Sequence, residues 1–405
     1  MLAALEEGVQ GGVWHSLIDK VWRPANLSSA WNKVRRNKGS AGVDHVTTEM
    51  FEREAPGHLE RLSRQLKEGS YRPSAIRRVY IPKPGGGERP LGIPTVRDRV
   101  VQGALRQVIE PVFERGFASQ SYGFRPGRGC KDALRRVDQL LKQGYRWVVD
   151  ADLKSYFDTI PHGKLLAVVR EKVADGRVLQ LVERFLGQKV MDGLESWTPA
   201  GGAPQGAVLS PLLSNIYLDP LNHLMEQRGY QMVRYADDLV VLCPSREEAE
   251  SALATLADWV KSAGLTLHPE KTRVVSVDNE GFEFLGYRFV RSTRWPRDKS
   301  KQKLRDLVRS RTRRTDGRSL EAIVTDVNRT LKGWFEYFKH AHRWALRDAD
   351  GWVRMRLRSI LRRRHGRRGR GRGLDQQRWP NAYFRDRGLF SLLQAWELAA
   401  SPRMR

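Results

Sequence analysis

Short apolar runs alternate with polar turns over most of the chain, and this pattern predicts strands. Residues 145–151 form one such run, and Met232–Tyr235 and Leu239–Leu242 form two more. Runs rich in β-prone residues that bound a polar pair are typical of a hairpin. We therefore expect a hairpin here, with Asp237 and Asp238 at its tip.

Apolar residues that recur every three to four positions predict helices between and after these strands. The helical segments are parts of 16–70, Val96–Phe113, a helix from near Cys130, 162–187, 246–263, Leu304–Val308, Leu320–Phe338 and Trp344–Leu361. Further strands are expected in a hairpin at Tyr80–Pro94 with the flexible tip Pro84–Glu88, near 272–276 and over 283–290. Four aromatic residues at helical spacing should supply the core of the last helices, with base stacking as the alternative for some: Trp334, Phe335, Tyr337 and Phe338.

The adjacent carboxylates at 237 and 238 need a physical explanation. Each anion opposes the ionisation of the other unless a cation neutralises them. Carboxylates suit Mg²⁺, and two-metal phosphoryl chemistry needs several of them to converge. If Asp237 and Asp238 are considered without other carboxylates, the alternative to a metal site is an ordinary polar hairpin turn. Further carboxylates follow the apolar run Trp147–Val149, namely Asp150, Asp152 and Asp158.

With these motifs the sequence resembles reverse transcriptases, and most closely those of bacterial group II introns, also called maturases. The blocks that carry the resemblance are Asn37–Asp44, Arg89–Pro94, Ser121–Gly127, Ala203–Gly206, Ser210–Asn215, Tyr235–Asp238, Gly264–Thr272 and Phe284–Tyr287. A segment at Asn328–Phe338 is similar to the family's maturase, or thumb, motif.

The resemblance implies an α+β right-hand polymerase, whose fingers and palm contain antiparallel sheet, followed by an α-helical thumb/maturase domain. The implied segments are an N-terminal extension and fingers at 1–98, the rest of the fingers and the palm at 99–295, the helical thumb/maturase (X) domain at 296–372, and a C-terminal tail at 373–405.

The resemblance also implies the catalytic residues. Matched residue by residue, the family's metal-binding aspartates fall on Asp152, Asp237 and Asp238, which would hold two Mg²⁺ ions. Asp150 lies two residues before Asp152, so on an extended strand it shares the same face and competes for that role. Asp158 is interpreted as a structural carboxylate at a helix start.

Nucleotide contacts of the family fall on five further positions: Lys83, Arg89, Phe157, Gln205 and Ala236. Lys83 and Arg89 would bind the triphosphate. The alternative is that they are ordinary solvent-exposed charges of the hairpin. Phe157 would stack under the deoxyribose and exclude a 2′-hydroxyl, Gln205 would lie beside the nucleotide, and Ala236 would leave room for the primer terminus. Lys271 is expected at a primer or nucleotide phosphate.

Charge is distributed unevenly along the chain. The net charge is +26, and residues 297–405 hold 30 Lys/Arg against 11 Asp/Glu, a net +19 that leaves +7 for residues 1–296. From Arg354 to Arg372 there are ten arginines and no acidic residue. We interpret the basic C-terminal part as a module that binds a polyanion along its length. The alternative is that these charges form an ordinary solvated surface. RNA contacts are expected from Arg354, Arg358, Arg362, Arg363 and Arg364, and Arg362–Gly373 should be flexible until it meets nucleic acid.

Two cysteines, Cys130 and Cys243, lie outside any CxxC pair, which argues against disulfide scaffolding and a cysteine-based zinc site. Because the C-terminal part holds no cysteine, the resemblance implies a member without the family's endonuclease domain. His340 and His342 are interpreted as a polar patch on a helix. The uncharged stretch Ser196–Leu218 has transmembrane length, but its prolines, Gln205 and Asn215 favour a buried loop and helix, so no membrane association is expected.

The implied function is RNA-directed DNA polymerase activity that extends a DNA or RNA primer with dNTPs on an RNA template. The expected partners are the intron RNA, whose splicing and mobility the protein would assist, and the target DNA. A reducing cytoplasm fits the cysteine content. Two alternatives remain: a maturase that folds intron RNA with secondary polymerase activity, and a domesticated reverse transcriptase in phage defence or DNA repair.

Overall fold

The structure is a computed structural model that describes residues 12–82, 87–291, 293–369 and 373–400. The chain divides into two compact units, Met1–Val274 and Val275–Arg405. The first unit combines helices with two sheets, and the second is mainly helical with one small sheet. The expected α+β class is confirmed.

The described part of the first unit begins with four helices: α1 (Ile18–Val21), α2 (Pro24–Asn37), α3 (Thr48–Arg53) and α4 (Ala55–Glu68). The predicted hairpin follows as β1 (Ile76–Pro82) and β2 (Glu88–Ile93), antiparallel to each other. With β4 (Val190–Asp192) and β5 (Glu195–Trp197) they form a four-stranded sheet of order β2-β1-β4-β5.

A long helix, α5 (Val96–Glu114), lies at the centre of this unit and packs against α2. The Thr95 side chain caps it by accepting a hydrogen bond from the Asp98 backbone N–H at 3.2 Å. The buried Asp98 carboxylate in turn accepts from the Tyr71 hydroxyl at 2.6 Å. This hydrogen bond joins Tyr71, which precedes the β1–β2 hairpin, to Asp98, which follows it.

The second sheet of this unit has the order β6-β7-β3-β8. Its strands are β3 (Trp147–Asp152), β6 (Gln231–Tyr235), β7 (Asp238–Cys243) and β8 (Arg273–Ser276), and the division between the two units falls within β8. The predicted hairpin is therefore present as β6 and β7. The helices of this part are α6 (Cys130–Lys142), α7 (Tyr156–Thr159), α8 (His162–Arg170), α9 (Gly176–Leu186), α10 (Ser210–Gln227) and α11 (Arg246–Ser262).

The long uncharged stretch begins in strand β5, continues as a loop and ends in the buried helix α10. The buried helix is as expected, but the loop is only partly buried, since Thr198 and Ala200 are exposed. Across the described ranges, no helix is both long enough and apolar enough to cross a bilayer.

The second unit starts with a sheet of order β11-β10-β9, formed by β9 (Phe282–Phe284), β10 (Tyr287–Val290) and β11 (Thr293–Pro296). The expected single strand over 283–290 is wrong, because Leu285 and Gly286 turn the chain between β9 and β10. Both have positive φ, 46° and 82°, which a two-residue hairpin turn of this kind requires at its central positions.

Three long helices follow: α12 (Asp298–Arg311), α13 (Leu320–Phe338) and α14 (Arg343–Arg364). Phe335 and Phe338 are buried as predicted, whereas Trp334 and Tyr337 are half-buried. His340 and His342 lie in the turn between α13 and α14, not on a helix as expected. The His342 backbone N–H donates to the Arg294 carbonyl at 2.8 Å, so this turn is part of the fold.

The described part of the segment expected as a C-terminal tail, residues 373–400, is helical and packs into this unit. It forms α15 (Leu374–Arg378), α16 (Asn381–Arg385) and α17 (Leu392–Ala400). Phe384 and Leu392 are fully buried, and the Asp350 carboxylate accepts from the Leu392 backbone N–H at 2.9 Å.

Candidate active site

The β6–β7 hairpin places Asp237 in a two-residue turn and Asp238 at the start of a strand. Tyr235 pairs with Asp238 across the hairpin, and Ala236 at the turn has a φ of 60°. Asp238 also lies opposite Asp152 at the end of β3. Directly opposed residues of an antiparallel pair point to the same face, with Cβ atoms about 4.5–5.5 Å apart. Carboxylates separated by more than eighty positions in the chain therefore come together at one sheet end.

The electrostatics of this sheet end favour an added cation. Burial raises the pKa of Asp237 above its ordinary value, the nearby charge of Asp152 raises it further, and Arg89 and Arg234 lower it. The Lys271 ammonium lies 2.8 Å from an Asp152 carboxylate oxygen. This contact follows from the backbone, because the His268 N–H donates to the Asp152 carbonyl at 2.7 Å and holds the following turn against the strand.

The competing carboxylate Asp150 has a different partner. It lies 3.6 Å from the Arg273 guanidinium on β8. Asp150 therefore takes part in a salt bridge within the sheet, two register positions away from the Asp152–Asp238 pair.

The aspartates supply the type of ligand that a divalent cation prefers, but their side chains are not yet arranged around one metal position. Carboxylate oxygens are the ligands that Mg²⁺ prefers. Among the described residues, however, no group of three His, Cys, Asp or Glu side chains is close enough to hold a metal as it stands. Asp152 is turned towards Lys271. A metal at this site would need Asp152 to exchange the ammonium for the ion.

A buried arginine, Arg234, supports the turn at Ala236 and Asp237, and the sequence motifs had given it no role. Arg234 is fully buried and donates four hydrogen bonds. Its acceptors are Asn222 Oδ1 (2.9 Å), Asn215 Oδ1 (3.1 Å), the Ala236 carbonyl (2.8 Å) and Ser121 Oγ (2.7 Å). Burial lowers its pKa to about 10, so the guanidinium stays charged at neutral pH. The signal in the sequence was a charged residue inside an apolar strand.

Gly123 lies against the same turn. A Cβ at this position would come within 2.3 Å of the Ala236 nitrogen, so only glycine permits the approach. The Gly123 carbonyl accepts from the Asn215 side-chain N–H at 2.8 Å. Sequence blocks that seemed independent, around 121–127, 210–215 and 235–238, therefore form one hydrogen-bonded layer beneath the aspartates.

The expected nucleotide contacts are placed in part. Phe157 is half-buried, and its carbonyl accepts from the Ala203 N–H at 2.6 Å. With Trp197 and Pro204 it lines a groove of about 190 Å³. The Gln205 carbonyl accepts from the Gly92 N–H at 2.7 Å, which ties this loop to strand β2.

On the same strand β2, Arg89 is exposed. Lys83, the other expected triphosphate contact, lies outside the described residues.

The expected row of RNA-binding arginines on α14 is divided by burial. Arg358 is 5% exposed and donates to the Trp379 carbonyl at 2.9 Å and to Asn381 at 2.8 Å. Arg354 is half-buried beside Asp350, at 4.0 Å. Burial lowers the pKa of both guanidinium groups. Burial and these two hydrogen bonds inside the fold argue against the expected phosphate contact of Arg358.

The last turn of α14 is helical, contrary to the expectation of a flexible segment from Arg362 onwards. Arg362 pairs with the buried Asp375 at 2.7 Å, and Arg364 donates to backbone carbonyls at 316 and 318. Arg363 is exposed, as are Arg367 and Arg368 beyond the helix. The expected phosphate contact therefore stays a prediction for Arg363.

Comparison with known families gives two matches. Residues 81–289, about half of the chain, match the reverse transcriptase (RNA-dependent DNA polymerase) family, and residues 301–379 match the group II intron maturase-specific domain. The first match covers the aspartate site, and the second covers most of α12 and all of α13, α14 and α15.

Individual relatives agree with these matches. Protein YkfC of Escherichia coli is 34% identical over 316 residues, which cover 68% of this chain and 83% of that protein. Group II intron-encoded protein LtrA of Lactococcus lactis is 36% identical over 242 residues, which cover 59% of this chain and 39% of LtrA. An uncharacterized 91 kDa protein in the cob intron of Schizosaccharomyces pombe is 30% identical, again with 39% of its length covered.

Proposed function

Because the chain belongs to the group II intron reverse transcriptases, RNA-directed DNA polymerases that carry a maturase domain, we propose that it extends a primer with dNTPs on an RNA template by two-metal catalysis. The observation that carries the proposal is the register that sets Asp152 opposite Asp238, with Asp237 in the adjoining turn.

Asp152, Asp237 and Asp238 are proposed to hold two Mg²⁺ ions. Bound there, the metals would lower the pKa of the primer 3′-hydroxyl and neutralise charge on the leaving pyrophosphate. Lys271 contacts Asp152, and we propose that with a metal at the aspartates it would contact a nucleotide or primer phosphate instead. Catalysis of this kind consists mainly of positioning and charge stabilisation.

The nucleotide is proposed to lie between the aspartates and strand β2. Arg89, together with Lys83, would bind its triphosphate, since both are cations. Phe157 would contact the sugar and exclude a 2′-hydroxyl, and Gln205 would line the base-pair side. Ala236 is buried at 6% exposure and is small enough for a primer terminus to pass.

A second function is supported by the maturase-specific match over 301–379. We propose that this region binds the intron RNA to assist splicing, and that the protein uses target DNA in mobility. Exposed Arg363, with its neighbours Arg367 and Arg368, offers cations for phosphate contacts. A cytoplasmic location is proposed because Cys130 and Cys243 are both free thiols.

The experiment is Mg²⁺-dependent primer extension with dNTPs on an RNA template, using single Asp→Asn variants. Asp152→Asn and Asp237→Asn should abolish extension and leave RNA binding intact. Asp150→Asn is the matched control, since it changes the same side chain two positions away and should retain most activity. Near-wild-type extension by Asp152→Asn, or loss confined to Asp150→Asn, would show that the metal ligands are misassigned.

A stability measurement separates lost chemistry from lost folding. The raised pKa of Asp237 means that its ionised form is disfavoured in the folded state. Asp237→Asn should therefore increase the free energy of unfolding at neutral pH without Mg²⁺. This gain in the free energy of unfolding should disappear as the pH falls below the ordinary aspartate pKa of about 3.9. Asp237 is then protonated in both the folded and the unfolded state, and the asparagine of the variant is neutral at every pH.

A further inference from the structure

A cavity of about 150 Å³ lies in the second unit among α12, α13 and α14. Three indole rings line it, those of Trp295, Trp334 and Trp352. Three charged side chains line it as well, those of Lys301, Arg305 and Asp348. Aromatic walls with adjacent cations are a combination found where proteins bind single nucleobases.

The three rings are held in place by separate neighbours. Trp334 lies 4.6 Å from the Phe338 ring, Trp295 donates its Nε1–H to Thr293 Oγ1 at 3.1 Å, and the Arg309 guanidinium lies over Trp352 at 5.8 Å. A ligand would therefore enter walls that are already ordered, which reduces the entropy that binding costs.

One wall carries an unused hydrogen-bond donor. Trp334 Nε1 is buried and has no acceptor among the described residues. A buried indole N–H normally finds a partner. An acceptor that reached this N–H from the cavity would have to be compatible with an aromatic surround. A nucleobase supplies carbonyl oxygens or ring nitrogens together with a flat π face, whereas an aliphatic side chain would fill the space and leave the donor unpaired.

Charge identifies the rest of the ligand. Residues 297–405 carry 30 Lys/Arg against 11 Asp/Glu, so a polyanion is attracted to this unit. Arg305 is exposed at the cavity, and Lys301 lies one helical turn before it. An ammonium and a guanidinium beside a base-sized aromatic cavity suit the two phosphates that flank one nucleotide.

We propose that this cavity binds one unstacked nucleobase of RNA, such as a bulged or flipped base, while Lys301 and Arg305 contact the adjoining phosphates. The Asp348 carboxylate would accept from an exocyclic amino group of the base. The inference rests on the proposed RNA binding of this unit and adds to it a defined single-base site.

The test compares RNA hairpins that carry either one bulged 2-aminopurine or an abasic bulge. Unlabelled primer–template is present at saturation, so that the reporter RNA measures a site outside the polymerase channel. The wild-type protein should bind the bulged base about ten-fold more tightly than the abasic bulge, as one stacked base contributes. Stacking on indole should also quench the 2-aminopurine fluorescence.

Two variants remove the site in different ways. Trp352→Leu deletes one wall, and Ala345→Phe fills the cavity without removing any existing contact. Both should bind the two hairpins equally. Trp344→Leu is the matched control, because Trp344 is on the same helix, is 49% exposed and stacks on Arg347 at 4.8 Å, yet does not line the cavity. It should keep the preference for the bulged base.

Primer extension by the wild-type protein, measured on the same preparation, keeps the two proposals apart. If extension is absent, the proposed function fails. If extension is normal but the wild-type protein binds both hairpins equally, the single-base site is wrong. The site is also wrong if Ala345→Phe, shown to be folded by circular dichroism, retains the ten-fold preference.

Discussion

Replacement of Arg234 with methionine tests whether a buried cation positions the catalytic turn. The side chain donates hydrogen bonds to Ser121, Asn215, Asn222 and the Ala236 carbonyl. The three side-chain acceptors are at most 1% exposed, so water cannot replace the lost donors. We expect both a less stable protein and a displaced turn.

The magnitude follows from these contacts. A hydrogen bond to a charged group contributes roughly 1.5–3 kcal/mol, but the four bonds share one guanidinium and are not additive. Methionine also removes the desolvation cost of a buried cation. The net loss should be about 3–5 kcal/mol, the usual cost of breaking a buried charged network. Arg234→Lys should lose nearly as much, because one ammonium cannot reach acceptors arranged around a planar fork.

Two measurements are needed, urea unfolding and the Mg²⁺ dependence of primer extension. A displaced turn should move Asp237 and raise the Mg²⁺ concentration for half-maximal rate, an effect that lower stability alone would not produce. Arg136→Met is the control. Arg136 is only partly buried and donates a hydrogen bond at 2.6 Å to Gln231, which lies on the same strand as Arg234. It should cost about 1 kcal/mol and leave the Mg²⁺ dependence unchanged. Wild-type unfolding and Mg²⁺ dependence in Arg234→Met would refute the reasoning.

Three further predictions concern the other proposed contacts. Phe157→Ala should raise ribonucleotide incorporation relative to dNTPs, and an unchanged ratio in single-nucleotide extension would move the sugar gate elsewhere. Lys271→Met should lower the Mg²⁺ concentration for half-maximal extension by about two- to fivefold, the range of an exposed ion pair, while a rise would mean that the ammonium assists metal binding. Replacing Arg363 and Arg367 with glutamine should reduce the slope of log RNA affinity against log salt by about 1.5. The same replacement at Arg135 and Arg246, which pair with neighbouring carboxylates, should leave that slope unchanged.

Local pattern was sufficient for most elements of the fold. The β6–β7 hairpin, helix α5 and helix α13 occur within a residue or two of the predicted bounds. Each rests on a period of side-chain polarity within one segment, which is a local property. The hairpin over 282–290 was not predicted because its turn contains Leu285. Leucine seldom adopts a positive φ, so no sequence pattern indicates a turn at this position.

The aspartates could also be proposed as metal ligands from the sequence, because they lie in motifs that resemble those of a known family. Their contacts with other groups could not be predicted. Lys271 contacts Asp152 across 119 positions, and Arg234 reaches Ser121 across 113. Both contacts depend on which strands pair and in what register.

Tertiary packing likewise decided the fate of each arginine on α14. In the sequence they form one basic run, yet Arg358 is buried against Trp379 and Arg363 is exposed. Polarity along the chain therefore determined the strands and most helices, and the resemblance to a known family assigned the metal role to three carboxylates. Only the folded chain determined which cations neutralise them, which support the turn and which remain for RNA, because burial and pairing arise between segments that are distant in sequence.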